Sequence, residues 1–309
     1  MSRKPVILVT GATGIEGTSV IKHLLQQDKF SVRALTRNAA SAKAKNLAAK
    51  GAIIIEGSLN DVKSLRAAME GCYAVYGFSN FRADAELELE QGMNLLKAVS
   101  KSNIQHFVYS TLPNVSLISK GRLPVPHFDI KAELEEHARS LNLNATFLHI
   151  AFYYENLMYF VTPKKGLDGN YYFGFPQGDT KLSAVSVEDV GAIVAKIFDH
   201  PFEFIGRIVG IVGEDITCDE YAQTLSGVLG KPVKYRHIPR EIFAAAGFPG
   251  GVEIANMFEF TRNHFNNREA DLQESKKLYK GLQGFEAWAI NNANKLESVF
   301  IEEPAEIFV

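Results

Sequence analysis

The chain is poor in the features that tie a protein to membranes, metals or disulfide chemistry. Cysteine is scarce: Cys72 and Cys218 are the only two in 309 residues. Neither has a Cys or His neighbour at metal-ligand spacing, which argues against a structural zinc site. With no secretory leader in view, both read as free thiols in a reducing compartment. Apolar runs are short. None approaches the ~20 residues that a membrane-spanning helix needs, and the run around Phe204–Gly213 contains Arg207. Met1-Ser2-Arg3-Lys4 leads straight into an apolar stretch and leaves no room for a cleaved targeting segment. The expectation is a cytosolic protein, with nuclear access left open. An excess of one charge is also missing: 33 Lys+Arg against 35 Asp+Glu give a formal charge of −2. That balance offers no support for direct nucleic-acid binding. There is no internal repeat and no low-complexity segment.

What is present is an ordinary soluble composition, 46% hydrophobic and 22% charged, on a chain long enough for a large core and about two domains. Short apolar runs and helical stretches alternate through the first half. The runs predict strands at Val6–Thr10, Val32–Thr36, Ile53–Glu56, Ala74–Phe78, Phe107–Ser110 and Thr146–Ile150. Between them fit helices at Gly14–Gln27, Ala40–Lys50, Val62–Glu70, Ala85–Ser100 and Phe128–Leu141. Continuous apolar strands joined by helices imply a sheet buried on both faces. The fold class is therefore α/β, a doubly wound parallel sheet of Rossmann type. Residues 1–150 are expected to form this nucleotide-binding domain. Residues 151–309 then form a smaller, mainly helical C-terminal α/β subdomain, with some segments returning to the sheet.

The sharpest local signal is the segment Val6 to Gly17, a strand, a G-x-x-G-x-x-G turn and a helix start in immediate order. Gly11 permits a tight turn out of the strand, Gly14 lets backbone approach a phosphate, and Gly17 lets the helix pack closely on the sheet. A helix beginning here points free N–H groups and its positive dipole end at an anion. Gly11, Ala12, Thr13, Gly14, Ile15 and Glu16 are thus expected to line a pyrophosphate. The second strand ends at Thr36-Arg37-Asn38. An NAD site places a carboxylate there for the ribose 2′-OH, whereas a guanidinium pairs with a 2′-phosphate and stacks on adenine. Arg37, with Asn38 beside it, therefore points to NADP(H). In such sheets ligands sit beyond the carboxyl ends of the strands. By that rule Ser58 and Leu59 would flank the adenine, and Ser79 and Asn80 would face ribose or pyrophosphate. Ser and Asn also favour plain turns, and that alternative stays open.

After Ile150 the pattern changes. Residues 151–176 are rich in aromatics, among them Phe152, Tyr153, Tyr154, Tyr159, Phe160, Tyr171, Tyr172, Phe173 and Phe175. They suit a pocket lining and an ordinary core equally. Ser186-Val187-Glu188-Asp189-Val190 reads as a helix start, and a further strand is expected at Arg207–Val212. Thr217 answered by Glu220 reads as a capping box. Leu225 to Phe300 reads as mainly helical, and Ile301–Val309 as a solvated or loosely docked tail.

Several segments together carry a family resemblance: the glycine turn, Arg37, His127-Phe128-Asp129-Ile130-Lys131, Tyr153-Tyr154-Glu155-Asn156-Leu157, Val185 to Gly191, and Ala246-Gly247-Phe248-Pro249-Gly250 followed by Ala255-Asn256-Met257-Phe258. In their order, over nearly the whole chain, they resemble the NmrA-like family, atypical relatives of the short-chain dehydrogenases. The resemblance implies an NADP(H) cofactor, with Lys131, Tyr153, Tyr154, Glu155 and Asn156 on the cofactor side. It further implies a plausible homodimer and, as in the NADPH-sensing branch, action through protein partners rather than on nucleic acid or membrane.

Active short-chain dehydrogenases carry Tyr-x-x-x-Lys, in which Tyr protonates the developing alkoxide and Lys holds the nicotinamide ribose. Here Lys131 stands at the Lys position and His127 at the Tyr position, while Ser110 occupies the place of the usual Ser. Glu90 stands where relatives often carry a basic residue reaching the cofactor. Two readings follow. Either hydride transfer is lost and the chain is a non-catalytic redox sensor or regulator, or His127 and Lys131 serve an NADPH-dependent reductase of a carbonyl, enone or quinone. A histidine's ordinary pKa of about 6.5 makes the second chemically sound.

Overall fold

The computed structural model describes residues 4–79 and 84–302. In chain order the strands are β1 (Val6–Val9), β2 (Ser31–Thr36), β3 (Ile53–Glu56), β4 (Ala74–Gly77), β5 (His106–Thr111), β6 (Ala145–Ile150), β7 (Phe152–Tyr153), β8 (Lys164–Lys165), β9 (Tyr171–Phe175), β10 (Lys181–Val185), β11 (Ile208–Ile211), β12 (Glu214–Thr217) and β13 (Val233–His237). The helices that matter below are α1 (Ile15–Gln27), α2 (Ala42–Ala49), α3 (Val62–Met69), α4 (Ala85–Ser100), α5 (Val115–Ile118), α6 (Pro126–Ser140), α7 (Asn156–Tyr159) and α8 (Val187–Asp199).

The chain forms two compact units that are interleaved rather than divided at one point. The first takes the described residues up to Asn114, then Pro126–Ile150 and Val187–Ile211. Its seven-stranded sheet has the order β11-β6-β5-β4-β1-β2-β3, with every pairing parallel. This is the Rossmann-like α/β fold. Strand alternation sends Val6, Leu8, Val75, Phe107, Tyr109 and Phe147 to one face, where they pack on α3, α4 and α6 through Leu65, Leu95, Leu96 and Leu134. Each such side chain contributes roughly 1.5–3 kcal/mol on full burial. α1 and α8 pack against one another at very short range. A Cβ on Gly191 would lie 2.2 Å from Ser19 Oγ, and that hydroxyl donates to Glu188 O at 3.1 Å.

Two neighbours of β1 decide where a ligand goes. The chain leaves β1 toward β2 and β3, then crosses back to place β4 on the other side of β1. That reversal opens a crevice beyond the carboxyl ends of β1 and β4. The two strand ends are tied together there: Thr10 N donates to Tyr76 O at 3.0 Å, and Phe78 N donates to Thr10 Oγ1 at 2.8 Å.

The second unit comprises Val115–Val125, Ala151–Ser186 and the described residues from Val212 onward. It holds two three-stranded sheets, β12-β10-β7 and β13-β9-β8. The aromatic stretch after Ile150 supplies much of its core. Tyr154, Tyr171, Phe173 and Phe175 are buried, whereas Tyr159 is 70% and Phe160 43% exposed. β9 follows strict alternation, burying Tyr171, Phe173 and Phe175. Its partner β13 departs from the expectation of a mainly helical remainder. Val233–His237 is a strand because β9 offers it a full parallel register, Val233 opposite Tyr171 through His237 opposite Phe175. The capping box forms as expected: Thr217 accepts from Glu220 N, and Glu220 Oε2 accepts from Thr217 N. Among the described residues, no helix is long and apolar enough to cross a membrane.

Candidate nucleotide site

Gly11 leaves β1 at φ 59°, in the left-handed region that favours glycine, and a Cβ there would lie 2.8 Å from Phe78 Cδ1. Gly14 N donates to Gly11 O at 2.9 Å and closes the turn. Gly14 is also the N-cap of α1, and it has no side chain to accept from the first helical turn. Gly14 and Ile15 are exposed, so that helix end and its partial positive charge face outward. Gly17 has a different task from the one the spacing suggested. A Cβ there would lie 2.4 Å from Gly11 O and 2.9 Å from Ala12 Cα. It therefore seats the helix on the turn itself, more than on the sheet. Thr18 Oγ1 adds a bond to Ala12 O at 3.1 Å. Ala12 is buried and Thr13 half-buried. Glu16 corrects another expectation. Its side chain is buried and accepts from the Tyr76 hydroxyl of β4, so only its backbone is available to a ligand at the turn.

Beyond β2, Arg37 is exposed and makes no hydrogen bond or ion pair among the described residues. The backbone carrying it is well fixed. Asn38 Oδ1 accepts from Ala40 N at 2.9 Å, Ser41 Oγ donates to Asn38 O at 2.9 Å, and the same Ser41 hydroxyl caps α2 by accepting from Ala44 N. An open guanidinium on a rigid mount is suited to an anionic group beyond the glycine turn. Ser58 takes the turn alternative: its hydroxyl accepts from Asn60 N at 3.2 Å. Leu59 packs on the core below the sheet. Both are half-buried and remain beside the end of β3. Asn80 lies outside the described residues.

The other end of the crevice is occupied by the protein's own groups. Lys131 is buried, and its Nζ donates to Ser79 O at 2.8 Å, Ser79 Oγ at 3.1 Å and Glu88 Oε1 at 2.7 Å. Ser79 Oγ in turn donates to Glu88 Oε1 at 2.8 Å. Ser79 is 1% exposed, so its side chain faces inward and does not reach toward a ribose or pyrophosphate. The ammonium lies 5.3 Å from the centroid of the Phe78 ring that backs Gly11. Tyr109 is fully buried beside Ser79 and Glu88, yet among the described residues its hydroxyl has no hydrogen bond of acceptable geometry. Burial above all pushes that hydroxyl far above the ordinary tyrosine range. Glu90, which stands where relatives often carry a basic residue, is exposed; Glu88 is the buried one.

The matching family model is the NmrA-like family, over residues 3–289. The chain belongs to the NmrA-like family. It is 32% identical to an NmrA-like family domain-containing protein of Dictyostelium discoideum, an alignment covering 77% of this chain and 81% of the relative. It is 30% identical to an NmrA-like family domain-containing oxidoreductase of Aspergillus hancockii, covering 83% and 82%. Among solved structures it is similar to NmrA, a negative transcriptional regulator crystallised with NAD and with NADP, at TM-score 0.82 and 24% identity over 96% of this chain and 98% of that one.

Within this NmrA-like chain the sequence-derived residues fall into two groups. Gly11 to Glu16, Arg37, Asn38, Ser58, Leu59, Ser79, His127 and Lys131 belong to the first unit; Tyr153, Tyr154, Glu155 and Asn156 belong to the second. His127 is half-buried on the first turn of α6, edge-on to Phe128 with centroids 4.9 Å apart. Ser110 is not brought to Lys131. Its neighbours Tyr109 and Thr111 point toward α4 and α6, Thr111 donating to Glu135, so alternation sends Ser110 to the other face. In the second unit Tyr153 is half-buried in β7. Tyr154 is not a surface residue: it is 1% exposed among Tyr221, Phe285 and Trp288, and its hydroxyl donates to Gln283 O at 3.4 Å. Its ring is taken up by packing within the second unit. Glu155 accepts from Trp288 Nε1 at 3.1 Å and Ser186 Oγ at 3.3 Å. Asn156 starts α7. Sequence reasoning missed Thr10, Phe78, Glu88 and Tyr109. A Glu at the first turn of the helix that follows the Ser79 segment was the one available signal, and only the fold buries it and pairs it with Lys131.

Proposed function

We propose that this chain binds NADP(H) along the carboxyl ends of β1 and β2 and acts as a non-catalytic redox sensor or regulator through protein partners. One observation carries the cofactor reading: an uncapped helix start at Gly14 together with the exposed Arg37, unpaired among the described residues. The first suits a pyrophosphate, and the second a 2′-phosphate. The glycines fit the group, since a Cβ at Gly11 would strike Phe78 and one at Gly17 would strike the backbone of the turn, so side chains there would disrupt the turn that presents the helix start. NmrA, similar in fold, holds NADP and NAD in its solved structures and is named a transcriptional regulator, which supports both halves of the reading.

Two features support the absence of turnover. His127 stands where active short-chain dehydrogenases carry the acidic tyrosine, and all three Lys131 protons are directed to Ser79 and Glu88. Signalling then needs differential affinity: NADPH must favour one conformation or assembly over another. A reductase of a carbonyl, enone or quinone is the second reading, favoured by the oxidoreductase names of relatives such as that of Aspergillus hancockii. The deciding experiment follows NADPH absorbance against a panel of such substrates, alongside sedimentation with NADPH and with NADP⁺. The expected outcome is no turnover and a cofactor-dependent change in sedimentation or partner capture. Turnover abolished by His127→Ala would replace the sensor reading with the reductase one.

A further inference from the structure

The Lys131 cluster is built as a closed ion pair. Glu88 contributes no exposed side-chain surface, and the Lys131 side chain is 9% exposed. A lysine ammonium has three protons, and all three are directed to groups of this chain, at 2.7, 2.8 and 3.1 Å. No proton is left for a sugar hydroxyl unless one of these bonds opens. Glu88 Oε2, by contrast, is buried and has no hydrogen-bond partner among the described residues, and the Tyr109 hydroxyl close by has none of hydrogen-bond geometry among them either. The carboxylate is thus held by Lys131 and Ser79 through a single oxygen. A buried carboxylate with one unsatisfied oxygen has more to lose than to gain from its setting. What fixes it is the ammonium, and what fixes the ammonium is Glu88.

We propose that Glu88 is a positioning residue that competes with the cofactor for the Lys131 ammonium, so that Lys131 reaches a bound nucleotide only when the pair opens. This rests on the cofactor reading given above. The charge of Lys131 is neutralised at its source, and the chain retains the lysine as a latent contact. Opening also frees Ser79, whose carbonyl and hydroxyl both accept from Lys131.

The test uses the full chain and two independent readouts on wild type, Glu88→Gln and the double variant Glu88→Gln/Lys131→Met. The first readout is acylation of Lys131 by a small amine-reactive ester, followed by mass spectrometry with no cofactor present. Lys131 is expected to be protected in wild type and labelled in Glu88→Gln; continued protection in Glu88→Gln overturns the proposal. The second is NADPH affinity by calorimetry. Glu88→Gln is expected to bind roughly tenfold more tightly, the scale of one added charge-assisted hydrogen bond, and the gain is expected to vanish in the double variant. A gain that survives loss of Lys131, or no gain in a folded Glu88→Gln, overturns it. If no variant binds NADPH, the cofactor reading fails while the labelling result still decides the pairing. Should Glu88→Gln not fold, Glu88→Asp keeps the charge, shortens the reach and shifts both readouts in the same direction.

Discussion

The two ends of the crevice beyond β1 and β4 are finished differently. At the glycine turn the chain leaves polar capacity unused: an N-cap without a side chain, an exposed helix start, and an arginine with no partner among the described residues. At Lys131 it does the reverse, surrounding an ammonium with three acceptors and burying the result. The difference teaches that an open cation and a closed one of the same charge are different instruments. Arg37 faces water and gives up little when an anion arrives. Lys131 must exchange one set of bonds for another, so its contact carries a threshold.

The comparison is most vulnerable at its closed end. Removing Lys131 strands a buried carboxylate, so Lys131→Met is expected to lower stability by about 3–5 kcal/mol, whereas Lys131→Met/Glu88→Leu, which removes both charges, recovers most of it. Urea denaturation of the three proteins measures this; a loss under about 1 kcal/mol for the single variant means that the end is not closed. Next comes the open end. Arg37→Glu is expected to weaken NADPH binding roughly ten- to hundredfold, with NADH affinity nearly unchanged. Equal losses for both nucleotides by calorimetry would place Arg37 away from the 2′-phosphate. The smallest effect concerns the mount of Arg37. Ser41→Ala removes the cap of α2 and the bond to Asn38, so thermal unfolding should register about 1 kcal/mol lost, with a modest drop in NADPH affinity. Lost stability with unchanged affinity would show that Arg37 needs no rigid support.

Much of this was legible in the sequence because it is local. The strands of the parallel sheet are apolar runs, and α4, expected between two of them, spans the predicted bounds, Ala85–Ser100. Gly11 and Arg37 were legible because their positions after a strand restrict what they can do. The unreadable parts depend on pairing across long separations. β13 is charged and half-exposed, and the brief alternation Val233-Lys234-Tyr235-Arg236 is too short to fix a strand until β9 is beside it. Glu88 and Lys131 lie 43 residues apart and meet only because α4 and α6 share one face of the sheet. The inward turn of the Glu16 side chain was hidden for a related reason. Its place in the glycine motif suggested a ligand, while the tyrosine that turns it inward arrives 60 residues later. The aromatic stretch after Ile150 allowed two readings because pocket and core draw on the same residue types, and only burial separates Tyr154 from Tyr159.

The interleaving of the two units has a consequence for inheritance. The backbone passes from one unit to the other after Asn114, Val125, Ile150, Ser186 and Ile211. The short excursion Val115–Val125 is itself anchored in the second unit, where buried Asn256 donates to Pro124 O at 3.0 Å and accepts from Arg240 at 2.9 Å. No single cut in the gene yields either unit whole, and no recombination at one breakpoint can exchange one of them for a foreign copy. The glycine turn and the second unit are therefore transmitted together, as one hereditary piece.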